Sequence, residues 1–196
     1  SLHGAVRESE HVFIRSGLES ISKETITVFE CGFGTGLNAW LTAIYAKKMN
    51  ILINYFSIEL YPLNIEFVNS MCFINTANIE EINLLQTIHT CQWDTACKVS
   101  DNFIIHKIQD DITQFDFKII DTPIDLVYFD AFSPEKQPEM WDPNVFKKLW
   151  QAMNKGAVLV TYCAKGIIRR RLQEIGFTVE RLQGPPGKKE MLRAIK

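Results

Sequence analysis

Apolar residues in this chain fall into short unbroken runs separated by longer stretches of helical periodicity. Ile26-Thr-Val-Phe-Glu-Cys31 is short, β-branched and bounded by glycine, and is read as a buried strand. Gly32-Phe-Gly-Thr-Gly36 follows at once, and Leu37, Trp40, Leu41, Ile44 and Tyr45 then recur at helical spacing to about Met49. A second strand, Ile51–Ile58, ends in Glu59, and Pro62 suits the first turn of a helix running to about Asn75. Residues 76–99 read as a helical insertion with the stripe Ile79, Ile82, Leu85 and Ile88. A third strand, Phe103–Ile108, ends at Asp110-Asp111, and a fourth, Ile124–Phe129, ends at Asp130. The pattern then predicts one amphipathic helix over Pro138–Met153, with Trp141, Val145, Phe146, Leu149, Trp150 and Met153 on one side. A fifth strand covers Gly156–Cys163, a basic helix covers 165–175 with Gly176 as its stop, and Phe177–Leu182 forms a sixth strand. The turn-rich Gly184-Pro-Pro-Gly187 leads to a last strand, Glu190–Ile195, expected to pair antiparallel with the sixth.

Strands alternating with helices imply an α/β fold: a doubly wound, seven-stranded, mostly parallel sheet with an antiparallel last strand and helices on both faces. Ligands of such sheets lie beyond the carboxyl ends of the strands. Glu30, Glu59, Asp111 and Asp130 all stand at those ends, which packing does not explain. The 196 residues suit a single domain, 1–196, with no linker and no repeat. No apolar run reaches the roughly 18–20 residues of a membrane span, so no membrane partner is expected. The chain opens on Ser1 rather than Met, which suggests that preceding sequence is absent. Five scattered cysteines without a CxxC pair argue against a metal site and against a secreted disulfide scaffold; a reducing, cytoplasmic setting is the expectation.

The glycine loop reads Glu30-x-Gly32-x-Gly34-x-Gly36. A dinucleotide fingerprint would need its third glycine at position 37, which is Leu37, and a P-loop would need a lysine the loop lacks. An acid ahead of the first glycine would repel phosphate and suit a cation. S-adenosylmethionine, with its sulfonium and α-ammonium, is such a ligand, and the E-x-G-x-G-x-G pattern resembles that of the class I methyltransferases. That resemblance implies their Rossmann-like fold and a cofactor-binding set of Glu30, Gly32, Gly34, Gly36, Asn38, Glu59 and Asp111. Glu59 could accept both ribose hydroxyls. Asp111 could accept from the adenine amino group, or it could cap residues 112–115.

Asp130-Ala-Phe-Ser-Pro134, followed by Pro138-Glu-Met-Trp141, is the most informative stretch. Asp130 is the candidate catalytic residue, accepting a hydrogen bond from an incoming nucleophile. Phe132, Ser133, Pro134 and Trp141 are candidate substrate contacts, the two aromatics either walling a slot for a flat substrate or packing in the core. With Glu8-Ser-Glu-His-Val-Phe-Ile14, Glu30–Asn38, Asp125–Pro134, Pro138–Trp141 and Gly187-Lys-Lys-Glu-Met-Leu192, the chain resembles the tRNA 5-aminomethyl-2-thiouridine methyltransferase family. That family occurs alone or as the N-terminal half of a bifunctional enzyme of wobble-uridine biosynthesis. The resemblance implies methyl transfer from S-adenosylmethionine to the aminomethyl nitrogen of a wobble uridine. Nothing in the sequence matches the family's flavin-dependent oxidase half, so methylation alone is expected, with a separate FAD-dependent oxidase as a candidate partner.

Charge distribution fits an RNA partner. Net charge is −2 overall, but residues 165–196 carry nine Lys/Arg against three acids. Arg169, Arg170, Arg171, Lys188 and Lys189 are the candidate phosphate contacts for a tRNA anticodon loop. A methyl- or aminopropyltransferase of small amines is the rival within enzymes, and a nicotinamide-dependent oxidoreductase is a more distant one. An alkyl amine has a pKa of roughly 10.4, so it must be bound neutral or lose its proton. A carboxylate such as Asp130 is a weak base for that task and suits orientation and charge stabilisation first.

Overall fold

The computed structural model describes residues 2–64 and 77–196. Eight strands follow one another: β1 Thr25–Cys31, β2 Leu52–Ile58, β3 Ala96–Ser100, β4 Phe103–Ile108, β5 Ile124–Phe129, β6 Met153–Thr161, β7 Thr178–Gln183 and β8 Glu190–Ile195. They form one sheet in the order β3-β4-β2-β1-β5-β6-β8-β7. β4, β2, β1, β5 and β6 pair in parallel, while β3 is antiparallel to β4 and β8 is antiparallel to both β6 and β7. The helices are α1 Leu2–Ser9, α2 Leu37–Met49, α3 Ile79–Thr90, α4 Pro143–Ala152 and α5 Gly166–Ile175.

Successive side chains of a strand point to opposite faces, so β5 alone feeds two cores. Leu126 and Tyr128 pack with Val28, Ala39, Ala43 and Tyr55 beneath α2, while Val127 and Phe129 pack with Phe146, Leu149, Ile168 and Leu172 beneath α4 and α5. Every residue of β5 is buried, as a central parallel strand requires. Burying each large apolar side chain contributes about 1.5–3 kcal/mol, which locks the strand that carries the site.

Three expectations change. The sheet has eight strands, because β3 lies inside the stretch read as helical insertion; only Ile79–Thr90 is helix there. β3 is an exposed edge whose polar positions gave no apolar run. Its helix is capped by Asn78, whose side chain accepts from the Glu81 amide while the Glu81 carboxylate accepts from the Asn78 amide. Ile79, first in the expected stripe, is 74% exposed, and Leu85 and Ile88 carry the burial instead.

The single helix read over Pro138–Met153 is two pieces, a tight turn Pro138–Trp141 and then α4. Pro143 causes the break. The residue before a proline disfavours helical dihedrals, so Asp142 is extended and caps α4 by accepting from the Asn144 amide at 2.8 Å. Finally, Cys91 and Cys97 are joined in a disulfide between α3 and β3, whereas Cys31 and Cys163 are buried thiols. One short bridge is no scaffold; the turn after α3 brings two of the scattered cysteines together at a spacing that matches no motif. The helix expected from Pro62 is absent at 62–64, and its remainder lies outside the described residues. No helix among the described residues is long and apolar enough to cross a membrane.

Candidate active site

The carboxyl ends of β1, β2, β4 and β5 open into a cavity of about 630 Å³. Its glycine floor follows from the sharp exit of β1. Gly32, Gly34 and Gly36 have φ of +93°, +50° and +73°, values that L side chains rarely adopt. At Gly36 a Cβ would also meet the rings of His89 and Phe33 at 3.0 Å, so this glycine, expected to bind the ligand, instead turns the chain against those rings and does not line the cavity; at Gly32 a Cβ would meet the Asp130 carbonyl oxygen at 3.2 Å. Gly34 is different: a Cβ there would meet nothing within 4 Å, because the backbone faces the cavity.

From β2, Glu59 reaches back to this loop, its carboxylate accepting from the Gly34 amide at 3.2 Å and the Tyr61 amide at 3.0 Å. Asp110 and Asp111, after β4, line the same wall. Asp111 also accepts from the Thr113 amide at 2.8 Å, closing a turn at 112–114 where a helix had been the alternative, at a position that still faces the cavity.

Glu30 and Asp130, equivalent as strand tips in sequence, take different places. Glu30 is fully buried and lies beneath the cavity rather than in its wall. It accepts from Ser57 Oγ at 2.6 Å and from Asn38 Nδ2 at 3.0 Å. Burial pushes its carboxyl up to about 8, although the Ser57 and Asn38 hydrogen bonds pull the other way. The sequence expectation that Glu30 faces the ligand is therefore corrected: it holds Asn38 from below. Asn38, at the start of α2, uses the same Nδ2 to donate to Asp130 at 2.8 Å. Asn38 lines the cavity, and its Oδ1 is buried without a hydrogen-bond partner.

Asp130 is in the wall. Desolvation pushes its carboxyl up to about 7; Asn38's donated bond opposes this, the Glu8 carboxylate adds to it and the Lys188 ammonium opposes it. A group titrating there can both accept a hydrogen bond from an amine and take up its proton, which an ordinary aspartate does poorly.

The two aromatics separate. Phe132 is 69% exposed on the cavity rim, as a stacking surface would be. Trp141 is 0% exposed and not in the wall; its ring packs on Phe129 at 4.8 Å and Phe146 at 6.2 Å. Its indole N–H donates to the Phe132 carbonyl at 2.7 Å, so it shapes the loop that presents Phe132. Ser133 builds that loop too, its carbonyl accepting from the Lys136 and Gln137 amides; neither Ser133 nor Pro134 lines the cavity.

The basic residues are likewise divided. Consecutive positions on a helix point about 100° apart. Arg170 is exposed, Arg169 is half-buried, and Arg171 donates to the Trp141 carbonyl at 2.7 Å. Lys188 is ion-paired with Glu8, leaving Lys189 exposed beside it. The block is not one phosphate-binding face; Arg170 and Lys189 are its outward members.

Several wall residues were missed in the sequence, Glu8, Glu139 and Tyr162 among them. Glu8 and Tyr162 lie 154 positions apart and share no local pattern, so only the fold brings them together. Glu8 belongs to a motif that had been quoted without a role. Among the described residues, Glu8, Glu59, Asp110, Asp111, Asp130 and Glu139 line the cavity and no lysine or arginine does. That wall suits a cation and opposes a pyrophosphate, so the donor set fits S-adenosylmethionine, with Gly34 open for close backbone approach.

A family model described as "S-adenosyl-L-methionine-dependent methyltransferase" matches residues 77–196. The tRNA 5-methylaminomethyl-2-thiouridine biosynthesis bifunctional protein MnmC of Pseudoalteromonas atlantica is 29% identical over 216 aligned residues, covering 100% of this chain and 30% of that protein. The protein of the same name from Marinomonas sp. is 26% identical, covering 95% of this chain and 29% of its own length. The chain thus spans under a third of these two relatives. Among solved structures, that of MNMC2 from Aquifex aeolicus matches with a TM-score of 0.78 at 20% identity, covering 97% of this chain and 60% of that one. The N-methyltransferase NodS from Bradyrhizobium japonicum matches with a TM-score of 0.53 at 15% identity, over 93% and 89%. At such identities the likeness is one of fold.

Proposed function

This chain belongs to the family of S-adenosyl-L-methionine-dependent methyltransferases, and from that premise we propose that it methylates the aminomethyl nitrogen of a modified wobble uridine in tRNA. The observation that carries the proposal is the cavity wall: six carboxylates, no lysine or arginine, and Asp130 raised into the neutral range at the strand tip. Such a wall accommodates a sulfonium and presents an amine to it. The names of the curated relatives supply the nucleoside class.

When bound, S-adenosylmethionine supplies a methyl group made electrophilic by a positively charged sulfur. Gly32 and Gly34 would approach it with backbone alone, Glu59 would accept from its sugar, and Asp111 and Asn38 would complete the pocket. Asp130 orients the acceptor amine through a hydrogen bond, stabilises the charge that develops on nitrogen, and accepts a proton. Phe132 offers its exposed ring to the base, which an anticodon loop can splay out of its stack. Holding donor and acceptor in line supplies most of the acceleration. Arg170 and Lys189 contact phosphates outside the cavity. In this reading the primary amine comes from a separate FAD-dependent oxidase activity, the 196 residues act as one methylating unit, and the reaction takes place in the cytoplasm with tRNA.

The test is transfer of a labelled methyl group to tRNA bearing 5-aminomethyl-2-thiouridine, with free small amines in parallel. Label in the wobble nucleoside supports the reading. Label only in the small amines supports the rival amine transferase instead.

A further inference from the structure

Residues from the two ends of the chain meet above Asp130. Glu8, on α1, is ion-paired with Lys188, which lies on the turn between β7 and β8. The Lys188 ammonium sits 4.0 Å from the centre of the Tyr162 ring. Tyr162 in turn donates from its hydroxyl to the carbonyl of Ala131, the neighbour of Asp130, at 2.7 Å. Glu8, Tyr162 and Asp130 all line the cavity, whereas Lys188 is an exposed residue outside the lining that reaches it through Glu8 and the Tyr162 ring. His11 adds a second tie between the N-terminal segment and this hairpin, through the Gln183 carbonyl at 2.8 Å. A cation is thus pinned by a carboxylate and an aromatic face beside the place where an amine must react.

We propose that Lys188 is a positioning residue for the transfer: held by Glu8 over Tyr162, its ammonium disfavours a second cation and so keeps the acceptor amine uncharged beside Asp130. This rests on the amine-methylating reading above. A protonated amine has no lone pair with which to attack, and a like charge nearby lowers an amine's affinity for its proton. Two hydrogen bonds and an ion pair hold the arrangement, so its geometry is fixed before substrate arrives. The groups that share the field of Asp130 are Asn38 from α2, Glu8 from α1, Lys188 from the hairpin, Tyr162 after β6, Tyr55 from β2, and Glu30 and Cys31 from β1. Of these, Lys188 is the only cation. The proposal moves Lys188 from the phosphate contacts to the chemistry, leaving Lys189 on the outside.

The experiment compares wild type, Lys188→Met and Lys188→Arg by the pH dependence of kcat/KM on tRNA carrying the aminomethyl group, with S-adenosylmethionine affinity measured by titration calorimetry. The expected result for Lys188→Met is an acid limb shifted up by about one pH unit, and so about a tenfold loss at pH values below it. Lys188→Arg restores the wild-type limb to within about twofold, and all three proteins bind S-adenosylmethionine alike. An unmoved pH profile with a raised KM and a shallower salt dependence would overturn the proposal and return Lys188 to the phosphate contacts. A loss equal at every pH that Arg does not rescue would overturn it as well, in favour of a purely structural tether. A wild-type protein with no turnover on this tRNA would instead overturn the reading on which the proposal stands, before any variant is compared.

Discussion

The two ends of β5 carry two acids five residues apart, and they have opposite fates. Asp125 enters the strand 6% exposed and is met by three donors: Lys23 Nζ at 2.6 Å, the Thr27 amide at 3.0 Å and Asn154 Nδ2 at 2.6 Å. Asp130 leaves the strand with Asn38 as its one side-chain donor among the described residues, and faces the cavity. The first acid spends its lone pairs on tying β1, β5 and β6 together. The second keeps its acceptor capacity for something that is not protein. Burial does not distinguish a structural carboxylate from a functional one here; the supply of donors does.

The comparison breaks most sharply by substitution at the two sites. Asp130→Asn, near in shape, should lower kcat by about 10²–10⁴-fold through lost charge stabilisation and proton acceptance, with cofactor affinity kept. Single-turnover methyl transfer checks this, and an active Asp130→Asn would erase the distinction. Asp125→Ala should do the reverse, leaving turnover per folded molecule intact while costing about 2–3 kcal/mol of stability. The cost arises because the Thr27 amide and Asn154 lose their acceptor, the half-exposed Lys23 adding little. Urea unfolding measures it.

Glu30 sharpens the comparison from below. Its carboxyl ionises in the unfolded chain near 4.5 and in the folded protein near 8. The folded state therefore binds the proton more tightly, and this contribution to stability is complete below about 4.5 and is lost as pH rises through about 8. The expected slope is on the order of 1 kcal/mol per pH unit across that window. Glu30→Gln, which can still accept from Asn38, should flatten the decline between pH 5.5 and 8 in denaturant titrations. A variant with the wild-type slope would show that Glu30 is ionised in the fold. The smallest effect belongs to the outer surface: Arg170→Glu or Lys189→Glu should each reduce the logarithmic salt slope of tRNA binding by about one, with cofactor binding unchanged.

Much of this was legible in the sequence because local physics dictated it. The glycine loop needs positive φ at Gly32, Gly34 and Gly36, and it adopts it. The run Ile124–Phe129 could only be a buried central strand, and Gly176 ends α5 in the left-handed conformation as a helix stop should. What stayed hidden depended on partners distant in the chain. An indole at 141 is equally apolar whether it walls a slot or packs on Phe129 and Phe146. Lys188 in a basic run looks like a phosphate contact until Glu8 is found against it. Glu30 and Asp130 both read as strand tips, but β1 runs on to Cys31 with Glu30 opposite Tyr128, while Asp130 lies just past Phe129, the end of β5. The break at Asp142 was locally encoded by Pro143, but the apolar stripe continuing from Trp141 to Met153 outweighed it in the reading.

The claim on which the rest depends is that a wall lined by carboxylates, with no lysine or arginine among its described residues and only Glu8 ion-paired, selects a positively charged sulfur ligand over a phosphate-bearing one. Titration calorimetry of the wild-type protein with S-adenosylmethionine and with NAD, side by side, tests it directly. The account predicts one S-adenosylmethionine per chain with a Kd of roughly micromolar order and no heat from NAD. Binding of NAD, or no binding of S-adenosylmethionine by folded protein, would contradict it.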